Sequence, residues 1–294
     1  MHDADGIPIC VPPDPNPHAP SFEVPPGSVD THSHIFGPVD TYEYIPGRGY
    51  TPPDASIDAY HQMHAALGID RGVLTQPSVY GTDNRAQLDA VQAMPERTRV
   101  VVAVDLSVTD DELAALDAAG ARGVRLNLAN KGGMPIALED IATMADRVVD
   151  LGWHLEFLLH GEDFLELRPY LTELSTDLVF GHMAYMPVDP GVDHPGFQSL
   201  LDLVREGRTW VKLSAPNRLS KQERPPYADV DPLGRAFVET MPQRMLWATD
   251  WPHPDRFGFQ PNDGDLLEQL AAWAPDPDVR RTILVDNPVA LYRF

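Results

Sequence analysis

Residues 99–128 read RVVVAVDLSVTDDELAALDAAGARGVRLNL. The stretch opens on a β-branched apolar run, 99–105, of the kind that fits a buried strand. Thr109-Asp-Asp-Glu112 follows as a capping box, whose side chains can satisfy free amides at a helix start. The helix it opens stops at Gly120, and 123–128 is apolar again. Strand, helix and strand in this order form a βαβ unit, which needs parallel neighbours.

The same alternation extends in both directions. Toward the N-terminus it predicts strands at 28–32 and 71–76 and helices at 56–67 and 83–94. The first of these helices has Ile57, Tyr60, His64 and Leu67 at spacings of three and four, with Gly68 to stop it. Toward the C-terminus it predicts strands at 153–159, 177–181, 209–213 and 245–249. Helices are expected at 136–151, 164–174, 196–205, 233–240 and 266–273, and short ones at 279–285 and 288–293. Eight strands alternating with helices imply an α/β fold, a closed (β/α)₈ TIM barrel over 27–294. An open doubly wound sheet is the alternative, but the first βα loop holds no G-x-G-x-x-G and no Walker sequence occurs.

Residues 1–26 carry eight prolines and read as an extended arm, either loose or laid along the barrel or a neighbouring subunit. Because the first strand begins after Pro26, the barrel is expected to fold without it. With 22 Lys+Arg against 44 Asp+Glu, the net charge of −22 argues against nucleic acid and anionic membranes. The single cysteine, Cys10, excludes an internal disulfide and a Cys-rich metal cluster. No apolar run is long enough to span a bilayer, and the start lacks a signal-peptide pattern, so a cytoplasmic protein is expected. A homo-oligomer stays open.

In a barrel of this kind the chemistry sits at the C-terminal strand ends. The first strand ends in Asp30-Thr31-His32-Ser33-His34, and residues two apart in a strand point the same way. His32 and His34 can therefore bind a divalent cation together, or donate to a carbonyl oxygen; a pair of loop histidines would look the same. His182 follows the sixth strand and Asp250 the eighth, where a carboxylate can ligate a metal or take a proton from water. Taken singly, Asp250 reads equally as a helix cap and His182 as a backbone-bonded histidine. Arg125 after strand four and Arg218 after strand seven point to an anionic ligand in a chain short of basic residues. His253, three residues beyond Asp250, could orient it or line the pocket.

DTHSHIFGP (30–38), GYTPPDAS (49–56), GTDNRA (81–86), GVRLN (123–127), GWH (152–154), GHM (181–183), APNRLS (215–220), WATDWPHP (247–254) and LVDNPVALY (284–292) occur in one order along the chain. In these phrases it resembles the amidohydrolase superfamily, and within it the lactonase group that includes the 2-pyrone-4,6-dicarboxylate enzyme. The resemblance implies a hydrolase that opens a small carboxylated lactone in aromatic or sugar-acid catabolism. His32, His34 and His182 would polarise the ring carbonyl, and Asp250 would activate water. Arg125, Arg218, Tyr50 and Ser78 would contact the substrate. It implies either no cofactor or one divalent metal, and strand four offers no lysine for a two-metal centre.

Departures from the group's pattern weaken one carboxylate clamp. Met183-Ala184-Tyr185 has no arginine, the nearest basic residue after strand four is Lys131, and the strand-five position near Leu158 is apolar. His160, in even register with His154, Glu156 and Leu158, would join His32, His34 and Asp250 in a Zn or Mn site if it pointed inward. That arrangement would support a rival activity, metal-dependent decarboxylation of an aromatic or unsaturated acid. An inactive barrel serving as a binding subunit is the third reading.

Overall fold

The computed structural model describes residues 1–129 and 136–294. Eight parallel strands form one sheet in the order β1 to β8: Val29–Ser33, Arg71–Thr75, Thr98–Val102, Ala121–Asn127, His154–Leu158, Leu178–Phe180, Thr209–Leu213 and Met245–Trp247. The ends of the sheet meet through a parallel bridge between Ser33 and Trp251, with Asp250 N donating to His32 O and His34 N to Trp251 O. The fold is a (β/α)₈ TIM barrel, closed at its mouth by the segments that carry the candidate site.

The helices α1 (Ile57–Leu67), α2 (Arg85–Ala93), α3 (Asp110–Ala118), α4 (Ile141–Val148), α5 (Phe164–Thr172) and α6 (Pro195–Arg205) follow the first six strands. The Thr109–Glu112 capping box forms as its residues require, and Gly68 ends α1 at a left-handed φ of 77°. Val100, Val101 and Val102 of β3 are fully buried, as a strand covered on both faces demands. On the outer layer Phe197 of α6 packs edge-on against Phe237 of the later helix Asp231–Thr240, at 4.8 Å between centroids. Side chains buried this fully each stabilise the fold by roughly 1.5–3 kcal/mol.

Three departures from expectation shape the site. β6 and β8 are shorter than the apolar runs, because the chain turns at once after Phe180 and after Trp247. A short helix, α7 (Pro216–Leu219), follows β7 and carries Arg218, ahead of α8 (Asp231–Thr240) and α9 (Asp263–Trp273). The C-terminal helices α10 (Pro277–Arg281) and α11 (Asn287–Tyr292) are joined through a π-helical turn, Thr282–Asp286, rather than separated. Lys131 lies outside the described residues.

The N-terminal segment lies along the barrel. Cys10 N donates to Thr51 O and Val11 N to Arg256 O, while Gln260 Nε2 donates to Val11 O at 2.6 Å. Ser21 N and Oγ both donate to Glu268 at 2.6 and 2.7 Å, and Cys10 is buried. Because proline lacks an amide donor, the remaining donors and side chains make these contacts. Among the described residues no helix is long and apolar enough to cross a membrane.

Candidate active site

Strand alternation brings His32 and His34 to the barrel mouth, 1% and 2% exposed, with their rings edge to face at 4.9 Å. His182 joins them, its ring 4.6 Å from that of His32. It opens a run, 182–185, in which four non-glycine residues take positive φ of 52°, 52°, 55° and 45°. Such left-handed runs are strained, and here the run aims His182 back into the barrel. Asp250 also has positive φ, 66°, in the turn after β8.

Asp250 is the hub. Its Oδ1 lies 3.5 Å from His182 Nε2 and 3.9 Å from His34 Nε2. Its Oδ2 accepts from Arg218 Nε at 2.7 Å. Burial alone would raise the Asp250 carboxyl, but Arg218 and then His182 outweigh it and hold it below the usual range. Burial pushes all three histidines well below their ordinary value. Lys212 reinforces this at His32 and Arg125 at His34, whereas Asp250 opposes it at His182. The site therefore works with neutral imidazoles and an ionised aspartate.

Proton positions follow from the partners. His34 Nδ1 is 2.6 Å from Thr75 O, and a carbonyl can only accept, so the His34 proton sits on Nδ1 and its Nε2 offers a lone pair. A neutral His34 therefore accepts rather than donates, contrary to its expected role of donating to a carbonyl oxygen. His32 Nε2 is buried and finds no hydrogen-bond partner among the described residues. One ligand atom from each of His32, His34 and Asp250 falls within 4.8 Å of the others. Two imidazoles and a carboxylate, one bearing an orphaned nitrogen, are a donor set that a single divalent cation fits. At His182 the Ser214 hydroxyl, 2.9 Å from Nδ1, can donate and leave the ring proton on Nε2, toward Asp250.

Around this group the inner cavity, about 40 Å³, is lined by Tyr50, Ser78, Arg125, Leu158, Tyr185 and Arg218, among others. It opens beside an outer chamber of about 370 Å³, which shares Tyr185, Arg218 and Asp255 with it. The inner space is small, so a ring-sized substrate would reach from it into the outer chamber. Arg125 donates from Nη1 to Gln76 O at 2.7 Å, and its buried Nε has no partner among the described residues. Arg218 spends its Nε on Asp250 and one Nη on Pro254 O, so it steadies the carboxylate as well as lining the pocket.

Two expected residues stand elsewhere. His160 is exposed, 5.8 Å from the Tyr185 ring in the outer chamber, and does not join the His32–His34–Asp250 group. Its even register fails because β5 ends at Leu158 and His160 begins the next turn, Gly161–Asp163. His253 is fully buried but is not among the residues lining the cavity; its Nε2 is 3.1 Å from Asp263 Oδ1, tying the turn to the start of α9. Sequence reasoning also passed over Glu156 and Lys212, a buried pair beneath His32 joined at 2.5 Å. The signal was available: both are charged residues inside short apolar strands, at positions whose alternation points inward.

Known proteins give a consistent picture. The Amidohydrolase family profile matches residues 29–294. A 2-pyrone-4,6-dicarboxylate hydrolase of Comamonas testosteroni is 38% identical over 285 residues, covering 94% of this chain and 93% of its own. A 4-sulfomuconolactone hydrolase of Hydrogenophaga intermedia is 38% identical over 291 residues, with 97% and 95% covered. The crystal structure of a probable 2-pyrone-4,6-dicarboxylic acid hydrolase from Acinetobacter baumannii, with citric acid bound, is 28% identical. It superposes with a TM-score of 0.80 over 91% of this chain and all of its own.

Proposed function

The chain belongs to the amidohydrolase family, and from that premise we propose that it hydrolyses a small lactone bearing a carboxylate. One observation carries this reading: Asp250, held ionised by Arg218, faces three neutral histidines at a small cavity in the barrel mouth. The relatives' names pair a pyrone or lactone ring with carboxylate or sulfo groups, which agrees with an Arg125 Nε that has no partner among the described residues at the pocket.

Asp250 Oδ1 takes a proton from the attacking water, whose oxygen bonds to the ring carbonyl carbon. His182, with its proton on Nε2, donates to the oxygen on which charge develops, where preorganised donors contribute most. The ring C–O bond then breaks, and Asp250 returns its proton to the leaving oxygen, giving a hydroxy acid. Arg125 grips the substrate carboxylate, with Tyr50 and Ser78 beside the ring. His32 Nε2, His34 Nε2 and Asp250 would hold one Zn or Mn ion, which when bound supplies Lewis-acid polarisation of the carbonyl. The decarboxylase reading loses the histidine that favoured it, since His160 stands apart from the group.

A panel of five- and six-membered lactones, neutral and carboxylated, assayed by pH-stat, tests the activity. Turnover of a carboxylated lactone is expected; none on any member overturns the proposal. Metal analysis of the active enzyme tests the ion separately: full activity without bound metal removes the cation and leaves the hydrolase.

A further inference from the structure

Beneath the histidines β5 and β7 carry two ionisable side chains that hydrolysis does not consume, Glu156 and Lys212, 1% and 0% exposed. A well-packed apolar pair would usually be at least as stable in such a place, so their retention calls for another reason. Lys212 Nζ donates to Glu156 Oε2 at 2.5 Å and to Thr31 O at 2.6 Å. The third ammonium proton can reach His32 Nδ1, the longest of the three contacts at 3.3 Å. The free carboxylate oxygen, Glu156 Oε1, lies 2.9 Å from His32 Nδ1.

Glu156 Oε1 makes no hydrogen bond of good geometry among the described residues, so its effect on the His32 ring proton is one of charge at close range. A nitrogen lone pair facing an anionic oxygen this closely in a dry interior is repulsive, whereas an N–H between them is attractive. Thr75 Oγ1, 3.4 Å from the same nitrogen, can accept or donate and so does not choose. We propose that Glu156 is a positioning residue that fixes His32 as its Nδ1–H tautomer, with Lys212 anchoring Glu156 for that task. His32 Nε2 then presents a lone pair at the mouth at all times, matching the state that Thr75 O imposes on His34. The two strand-one histidines reach one protonation pattern by different devices, a backbone carbonyl for His34 and a buried ion pair for His32. The inference concerns the ring proton itself and stands whichever lactone is the substrate.

Nitrogen-15 NMR of histidine-labelled, chelator-treated full-length protein reads the tautomer directly, with no need for activity or metal. The wild type is expected to show His32 protonated at Nδ1. In Glu156→Gln the side-chain amide can donate to Nδ1, and the proton is expected to move to Nε2. Zinc affinity, titrated calorimetrically, should fall about 10–100-fold in that variant, the range seen when a carboxylate behind a ligating histidine is lost. kcat should fall similarly with KM little changed, which a merely structural role would not produce. Should Glu156→Gln fail to fold, the double variant Glu156→Gln/Lys212→Met, which removes both charges, carries the same comparison. A wild-type His32 protonated at Nε2, or a variant with unmoved tautomer and unchanged zinc affinity, overturns the proposal.

Discussion

Arg218→Met removes the cation that lies 2.7 Å from Asp250 Oδ2, with side chains 11% and 1% exposed. Breaking a buried pair from one side costs about 3–5 kcal/mol, because a charge is left behind. His182 remains 3.5 Å from the other oxygen, so the lower figure applies, about 3 kcal/mol. At about 1.4 kcal/mol per tenfold, the carboxylate then binds its proton roughly 100 times more tightly. The acid limb of kcat/KM should accordingly rise by about two pH units. Since the change acts on the base, neutral and carboxylated lactones should lose rate alike at acidic pH. Arg125→Met should behave differently: its guanidinium has a donor to spare, so the carboxylated lactone alone should lose about 2–5 kcal/mol, mostly in KM. The assay is kcat/KM from acidic to basic pH on one neutral and one carboxylated lactone of equal ring size. An unmoved limb, with loss confined to the carboxylated substrate, would refute the view of Arg218 as the support of Asp250 and make it a clamp.

Asp250→Asn should lower kcat by several orders of magnitude while a substrate analogue still binds, measured by turnover and calorimetry; near-normal turnover would reject Asp250 as the base. The Asp250 carboxyl is held below its ordinary value, so the stability it contributes is fully present above the unfolded pKa near 3.9 and lost as pH falls through the lower folded value. Wild type but not Asp250→Asn should show that component in acid melts. His160→Ala should leave bound metal unchanged, as read by metal analysis, because the side chain stands outside the ligand group. Deleting residues 1–26 should lower Tm by several degrees and raise KM, since the segment is bonded to both mouth loops; an unchanged melt and KM would show those contacts to be idle.

Local regularities made the scaffold readable in advance. The valine run at 100–102, the Thr109–Glu112 box and Gly68 act within a few residues, so their effects survive into the fold. His32, His34, His182 and Asp250 were legible because each stands at or just past the C-terminal end of an apolar strand, where a barrel collects its chemistry. Partnerships across the barrel were not. The grip of Arg218 on Asp250 joins residues 32 apart, and Glu156 meets Lys212 across 56 positions. His160 misled because alternation holds only while the strand lasts, and β5 ends at Leu158; His253 meets Asp250 through its backbone amide, while its ring turns to Asp263.

The proline-rich segment at the start of the chain acts as a tie between two walls. Through Cys10 it holds the loop that leads from Tyr50, and through Val11 the turn that carries Asp255 and Arg256. Tyr50 and Asp255 both line the inner cavity, and Asp255 and Arg256 line the outer chamber. Residues that line the pocket are thus held in part by a piece of chain outside the eight-stranded frame. The backbone of residues 8–11 bonds to none of the eight barrel strands, so changes at its exposed positions could retune substrate breadth while the catalytic groups stay fixed. Exchanging this segment between relatives would then carry ring-size preference with it, and leave the chemistry of ring opening behind.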